Sequence, residues 1–379
     1  MRVLVVNDYA REYGGAETYV FSLISLLRDR GHTVLFIGDK PRLIHYVSRI
    51  ANPWYLLKFF FLILFWRPDV IHINKYNLVY SFMPALAGKL LGKRVVITMH
   101  DVGLFCPDGL GLLANGKPCE RHFHGGCFNS RCFRTTSPGL DLQRRLNFLR
   151  NAIQIPMHKR TVNCFLCPST HMVDWVRRAY GDKAAYLSNF LAAPETDPDP
   201  PPSLRGRPLR LFFAGRLVRE KGLQIAIRAL PGLDAVLTLA GEGAYRPVLE
   251  KLAGELGVAE KVVFLGKIPN QEVAANMRTC DVGILPSLWL ENNPLFAFEA
   301  MKCSRALVGA DVGGIPDLIE NDGNGYLFRL GDAEDLKRIL QRVIDEDSAI
   351  RLGRGGLAKL RRDLGPQKHA ERIESFYRG

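Results

Sequence analysis

Residues 192–222 read AAPETDPDPPPSLRGRPLRLFFAGRLVREKG. The first seventeen are rich in proline, which stiffens a chain and marks a boundary between domains. The apolar run 209–214 that follows is strand-like. The chain then turns at Gly215 and places Arg216 and Lys221 around the start of a helix. Similar strand-like runs recur at 235–240, 261–265, 281–285, 306–310 and 325–328, with helical stretches between them. Upstream, 2–7, 33–37, 69–74, 94–100, 162–168 and 183–188 show the same alternation, and the helical run 16–30 closes at Gly31 as a helix end should. Strands alternating with helices at this spacing imply parallel sheets covered on both faces. The reading is therefore α/β, with two doubly wound units in succession. Domain one spans 1–190, the linker 191–208 and domain two 209–360. A basic terminal helix, 361–379, is expected to pack back on domain one.

The 379 residues are 47% hydrophobic and 23% charged, which excludes disorder, collagen and coiled coil. The net charge of +13 is unevenly placed. Residues 1–190 carry 25 basic and 12 acidic side chains, whereas 191–379 carry 26 of each. The first half therefore suits an anionic partner: nucleic acid, a charged membrane surface or a phosphate-bearing substrate. Met1-Arg2 runs directly into Val3–Val6 with no leader-like region, so a cytoplasmic location is expected. The apolar stretch 54–66, WYLLKFFFLILFW, falls short of the roughly 20 residues that span a bilayer. It reads as a core helix or an interfacial one. The eight cysteines read as reduced thiols or metal ligands rather than disulfides.

Four strand ends carry chemistry. Gly14-Gly15 opens the first helix, where glycines let backbone amides approach a ligand at the positive end of the helix. The run is not GxGxxG, so the usual dinucleotide fingerprint is missing. His100-Asp101 closes the fourth strand, placing an imidazole where it can bond a substrate hydroxyl or phosphate. Arg216 and Lys221 around the Gly215 turn form a candidate diphosphate clamp. Finally, Glu291-Asn292-Asn293-Pro294-Leu295-Phe296 leads into a helix whose first amides would face an anion. Glu299, just over a turn further, could accept hydrogen bonds from ribose hydroxyls. Carboxylates around an anion site favour a hydroxyl-rich ligand.

Together these segments resemble the retaining glycosyltransferases of family 4. Their GT-B fold sets two Rossmann-like, doubly wound domains around a central cleft. The matching residues are Gly215-Arg216-Leu217…Glu220-Lys221-Gly222 and the Glu-x7-Glu pair Glu291…Glu299. Gly313-Gly314-Ile315-Pro316-Asp317, Asn324–Phe328, Gly14–Glu17 and His100-Asp101 extend the likeness over nearly the whole chain. The resemblance implies sugar transfer from a nucleotide diphosphate sugar to a glycan or lipid-linked acceptor in cell-surface polysaccharide synthesis. Catalytic roles fall to His100, Arg216, Lys221 and Glu291. Donor contacts fall to Gly14, Gly15, Gly215, Asn293, Pro294, Leu295, Phe296 and Glu299. It also implies that no metal cofactor is needed, because Arg216 and Lys221 meet the leaving group's charge. Where the common family form has Gly-Phe-Gly after the first Glu, this chain has Asn292-Asn293-Pro294, which bears on the donor sugar.

Within an insertion at 101–135, Cys106, Cys119, Cys127 and Cys132 stand beside His122 and His124 and are candidate ligands for a structural zinc. Against zinc, only the last spacing approaches a C-x2–4-C pair. Cys164, Cys167, Cys280 and Cys303 read as core thiols. Stretches 54–66 and 140–160 are candidate docking surfaces for an anionic membrane. Two other readings share these features: a nucleotide-sugar epimerase of the same fold, and a basic nucleic-acid-binding protein with a metal-bound Cys/His loop. No nucleic-acid motif supports the latter.

Overall fold

A computed structural model describes residues 1–11, 14–39, 52–75, 79–114, 119, 123–129 and 138–379, with backbone alone over 138–141. The chain divides into two compact units: residues 1–189 with 366–379, and residues 190–365.

Unit 1 holds strands β1 (Arg2–Tyr9), β2 (Thr33–Asp39), β3 (Val70–Ile73), β4 (Arg94–Thr98), β5 (Cys164–Cys167) and β6 (Ala184–Tyr186). All are parallel, in the order β2-β1-β3-β4-β5-β6. Its described helices are α1 (Gly15–Asp29), α2 (Pro53–Trp66), α3 (Met83–Leu90), α4 (Pro138–Thr161) and α5 (Thr170–Tyr180). Unit 2 holds β7 (Leu209–Ala214), β8 (Ala235–Ala240), β9 (Val262–Gly266), β10 (Val282–Leu285), β11 (Ala306–Ala310) and β12 (Gly325–Phe328), in the order β12-β11-β10-β7-β8-β9. Its helices are α6 (Leu223–Ala229), α7 (Arg246–Glu255), α8 (Asn270–Thr279), α9 (Leu295–Lys302), α10 (Ile315–Leu318), α11 (Ala333–Asp345) and α12 (Ala349–Asp363). The last helix, α13 (Pro366–Arg378), belongs to unit 1.

The central strands are buried on both faces, as parallel sheets require. Val3 to Val6 of β1 and Val95 to Ile97 of β4 are fully buried, as are Val282 and Ile284 of β10. In each sheet the chain order reverses once, between β1 and β3 and between β7 and β10. Loops leaving the two strands at such a reversal share a crevice at their carboxyl ends.

The stretch 191–208, expected as a linker, is fastened to unit 2. The Arg207 guanidinium donates to both oxygens of buried Asp281 at 2.8 and 2.9 Å. Asp347 accepts from Ser203 Oγ at 2.6 Å and Leu204 N–H at 2.8 Å. Prolines at this density stiffen the chain, and these four bonds fix it. At the other end, α13 is held on unit 1. Glu374 accepts from Arg30 at 2.7 Å and bonds His32 at 3.1 Å, and Arg94 donates to the Phe376 carbonyl at 2.7 Å. Beneath, Tyr377 Oη meets His72 Nδ1 at 2.7 Å and Tyr19 Oη meets His369 Nε2 at 3.2 Å.

Candidate active site

In unit 2 the loops after β7 and β10 meet because single glycines permit it. Gly222 has φ 71°, and a Cβ there would stand 1.8 Å from the Pro286 carbonyl oxygen. Leu288 N–H donates to the Glu220 carbonyl at 2.9 Å, closing the contact. From the other side, Gly313 (φ 59°) would place a Cβ 2.4 Å from the Glu291 carbonyl oxygen, which accepts from Gly314 N–H at 2.6 Å. The backbone of Glu291 is thereby fixed by the chain on both sides of it.

Its side chain is buried and charged. Lys221 Nζ donates to Glu291 Oε1 at 2.5 Å, and Ser287 Oγ donates to the same oxygen at 2.8 Å. Burial alone would raise this pKa. The adjacent Lys221 charge and the two hydrogen bonds outweigh burial and hold the carboxyl below the usual range. Lys221 also lies 5.3 Å from the centre of the Trp289 ring. Asn293 is buried beside the pair, and Pro294 caps α9 with φ −68°. The amides of Leu295 and Phe296, in the first turn of α9, have no partner within the helix.

The other cation is free. Arg216 is exposed, and its guanidinium has no hydrogen-bond or ion-pair partner among the described residues. It lines a cavity of about 380 Å³ with Gly215, Gly241, Glu242, Lys267 and Glu299. Glu299 is open to solvent, yet protein walls around it partly desolvate the carboxylate and raise its pKa, with Lys302 opposing. Gly241 brings the β8 loop against the β7 loop: a Cβ there would stand 1.8 Å from the Gly215 carbonyl oxygen. Gly215, Arg216 and Glu299 therefore line one pocket, and Lys221, after β7, and Glu291 and Asn293, after β10, lie on the two loops that meet beside Gly222. Such a cavity suits a ligand with an anion at one end and hydroxyls at the other.

Gly241, Glu242 and Lys267 were not singled out from the sequence. A glycine pair directly after a strand, Gly241 and Gly243, was the available signal.

In unit 1, the carboxyl edge of the sheet carries His100, whose Nε2 donates to Asn74 Oδ1 at 3.0 Å. Its ring lies edge-on to Tyr19, centroids 5.3 Å apart. Burial lowers its pKa to about 4; Asp101 opposes this and Lys75 adds to it. The imidazole is therefore neutral near pH 7, with Nδ1 left as an acceptor. Asn74, Lys75, Thr98 and Asp101 enclose with it a void of about 10 Å³, the space of one water. Lys75 lies 3.9 Å from buried Glu17 of α1. Gly14 and Gly15 are exposed at the start of α1, and Gly14, with φ 179°, is extended. Tyr19, Asn74 and Lys75 went unread because separate elements bring them to His100.

The insertion gives zinc no support. Among the described residues no three His, Cys, Asp or Glu side chains are placed to hold a metal ion. Cys106 is buried with Gly111 N–H directed at its sulfur at 3.3 Å, and Cys119 and Cys127 are half-buried. Cys132 and His122 lie outside the described residues. Cys164, Cys167, Cys280 and Cys303 are buried thiols, and burial raises the pKa of each.

Known proteins share this sequence and architecture. Residues 13–191 match the profile of Glycosyltransferase Family 4, and residues 197–367 that of Glycosyl transferases group 1. An uncharacterised glycosyltransferase of Methanocaldococcus jannaschii is 37% identical over 119 residues, 30% of either chain. The 2-deoxystreptamine glucosyltransferase of Streptomyces kanamyceticus is 32% identical over 155 residues, 38% of this chain and 40% of that one. A GDP-mannose-dependent alpha-(1-6)-phosphatidylinositol monomannoside mannosyltransferase of Mycolicibacterium smegmatis is 32% identical over 189 residues, 44% and 48% of the two chains. These matches span less than half the length of each relative. Among solved structures, sucrose-phosphate synthase of Thermosynechococcus elongatus superposes with a TM-score of 0.72 at 18% identity, over 100% of this chain and 98% of that one. HepE of Anabaena, solved with UDP, gives 0.68 at 17% identity over 99% of both chains. At such identities the likeness is one of fold.

Proposed function

The chain belongs to the glycosyltransferases of the GT-B fold and family 4 type, and from that premise we propose that it moves a sugar from a nucleotide diphosphate donor to a glycan or lipid-linked acceptor, with retention at the anomeric carbon, in cell-surface polysaccharide synthesis. The observation that carries the reading is the pocket that the unpaired Arg216 side chain and the partly desolvated carboxylate of Glu299 both line. The cation suits a diphosphate and the carboxylate suits ribose hydroxyls.

In this reaction the bond from the anomeric carbon to the diphosphate oxygen breaks, and the electron pair leaves with the nucleoside diphosphate. The acceptor oxygen bonds to the same carbon, and its proton passes to the departing diphosphate. Arg216 and the first amides of α9 meet the charge that develops on the leaving group, and such preorganised donors favour the transition state. Lys221 adds positive potential while holding Glu291 in its charged form beside the donor sugar. Gly215 lets the phosphates approach the backbone. His100 accepts a hydroxyl through Nδ1, and Gly14 and Gly15 supply backbone contacts. With the leaving-group charge met by these groups, transfer needs no divalent metal and persists in chelator.

The test is a thermal-shift panel with UDP, GDP, ADP and dTDP, on the wild type and on Glu299→Ala. UDP and GDP come first because HepE was solved with UDP and the mycobacterial relative uses GDP-mannose. A diphosphate at about 100 times its Kd adds about 2.7 kcal/mol to stability. A shift with one base, lost in Glu299→Ala, is expected. No shift with any of the four would remove the reading's support.

A further inference from the structure

Helix α2 exposes an apolar surface that no described element covers. Only Tyr55, Phe59 and Ile63, one residue in four, turn inward. Trp54, Leu57, Phe61, Leu64 and Phe65 face outward, Trp54 at 74% and Phe65 at 78% exposure. Five large apolar side chains on one face of one helix mark an interaction site on a globular fold. The helix is 14 residues long, which at 1.5 Å per residue gives about 21 Å, against roughly 30 Å of hydrocarbon. No described helix is long and apolar enough to cross a membrane.

The surface continues onto its neighbours. Right-handed crossovers put α2, α3 and α4 on the same face of the sheet, and α3 packs against both of the others. Leu90, at the end of α3, is exposed, and so are Leu142, Leu149 and Ile153 along α4, at positions i, i+7 and i+11. Cations fringe this row: Lys58, Arg67, Lys89, Arg145, Lys159 and Arg160 are exposed. Not every basic residue of 140–160 joins them. Arg144 and Arg150 are buried and donate to the carbonyls of Phe128 and Gly103. Residues 52–67, 83–93 and 142–161 contain no aspartate or glutamate.

This chemistry selects the occupant. A second copy meeting this face about a two-fold axis would set cations against cations. A protein interface of this area would be poor in lysine. Aromatic and aliphatic side chains accompanied by these cations suit the headgroup layer of an anionic bilayer, where rings enter the interface and cations meet lipid phosphates. We propose that the α2–α4 flank of unit 1 docks on an anionic bilayer, with α2 lying in the plane of the interface.

The test is flotation of the full chain with vesicles of phosphatidylcholine, alone or with roughly a third phosphatidylglycerol. Phe61→Asp/Phe65→Asp and Lys58→Glu/Lys89→Glu are the variants, all at exposed positions. Expected are flotation with the anionic vesicles, weakening with salt, and at least about tenfold weaker binding for either variant. Both variants keep the melting temperature and the nucleotide-induced shift of the wild type, so a failed donor assay and failed docking are told apart. Absence of flotation, or flotation undiminished in the Phe pair, overturns the proposal. So does a dimer that the Phe pair dissociates without any vesicle binding.

Discussion

At Glu291 burial and a neighbouring cation oppose each other, and the cation prevails. The carboxylate is stable inside the protein because Lys221 and Ser287 bond it. Lys221→Ala leaves that carboxylate buried without its cation, a loss of about 3 kcal/mol. The pH dependence has a definite sign. In the wild type the folded pKa lies below the unfolded one, so this contribution is present above about pH 4.5 and is lost as pH falls through the folded value. In Lys221→Ala the main opposition to burial is gone, Ser287 alone of the two bonds remains and the folded pKa rises, so the variant's deficit narrows as pH falls. Urea titrations at two pH values measure this, and a deficit constant with pH would contradict it. Arg216→Ala is the contrast. With no partner to lose, it changes stability by no more than about 0.5 kcal/mol, while transfer falls about a hundredfold or more. Arg216 and Glu299 drew attention in the sequence by local spacing alone, Arg216 two residues past its strand and Glu299 eight residues after Glu291. The Lys221–Glu291 bond did not, because it joins side chains 70 residues apart and sequence reading treated each as a separate ligand contact.

Elements were more legible than contacts between them. The twelve strands stand where the apolar runs placed them, since a strand buried on both faces announces itself without long-range information. The proline-rich stretch begins at the division between the units, but composition reports stiffness and not anchoring. Arg207 and Asp281 fasten it through a pairing across 74 residues. Loop docking is likewise invisible in composition, and two glycines of the same local geometry show why. Gly222 and Gly257 have φ of 71° and 64°. Around Gly257 a Cβ would find nothing within 4 Å, whereas at Gly222 it would meet Pro286 at 1.8 Å. Gly257→Ala therefore loses only the left-handed penalty, about 1 kcal/mol. Gly222→Ala must also drive the β7 and β10 loops apart, for a total of about 3 kcal/mol. Because Lys221 precedes Gly222 and Glu291 follows Pro286, the same displacement breaks the ion pair. Gly222→Ala should therefore lose activity as well as stability, while Gly257→Ala keeps its activity. Equal losses in calorimetry and in a transfer assay would show that the close approach does not matter.

Across the whole molecule, charge and titration are divided between the units. All nine histidines lie within 1–189 and 366–379, and none within 190–365. Four of them are held neutral by burial: His72, His158 and His369 with pKa lowered to about 3, and His100 to about 4. His72 and His369 bond Tyr377 and Tyr19, so α13 is fastened to unit 1 through imidazoles that must stay uncharged. The unfolded chain protonates each histidine near pH 6.5, whereas the folded unit resists to a far lower pH. Below about pH 6.5 the unfolded state therefore binds more protons, and stability falls as pH falls, by about 1.4 kcal/mol per histidine per pH unit. Unit 2 has no such group. Its depressed carboxylates, Asp281 and Glu291 among them, stay ionised in both states until about pH 4.5. Acidification from about pH 7 to about pH 5 should thus lower the melting transition of unit 1 and leave that of unit 2 in place. Calorimetry would then show one endotherm separating into two. His369→Gln, which removes one titrating group, should reduce the pH slope of the lower transition. Two transitions moving in parallel would mean that acid sensitivity does not reside in these buried imidazoles.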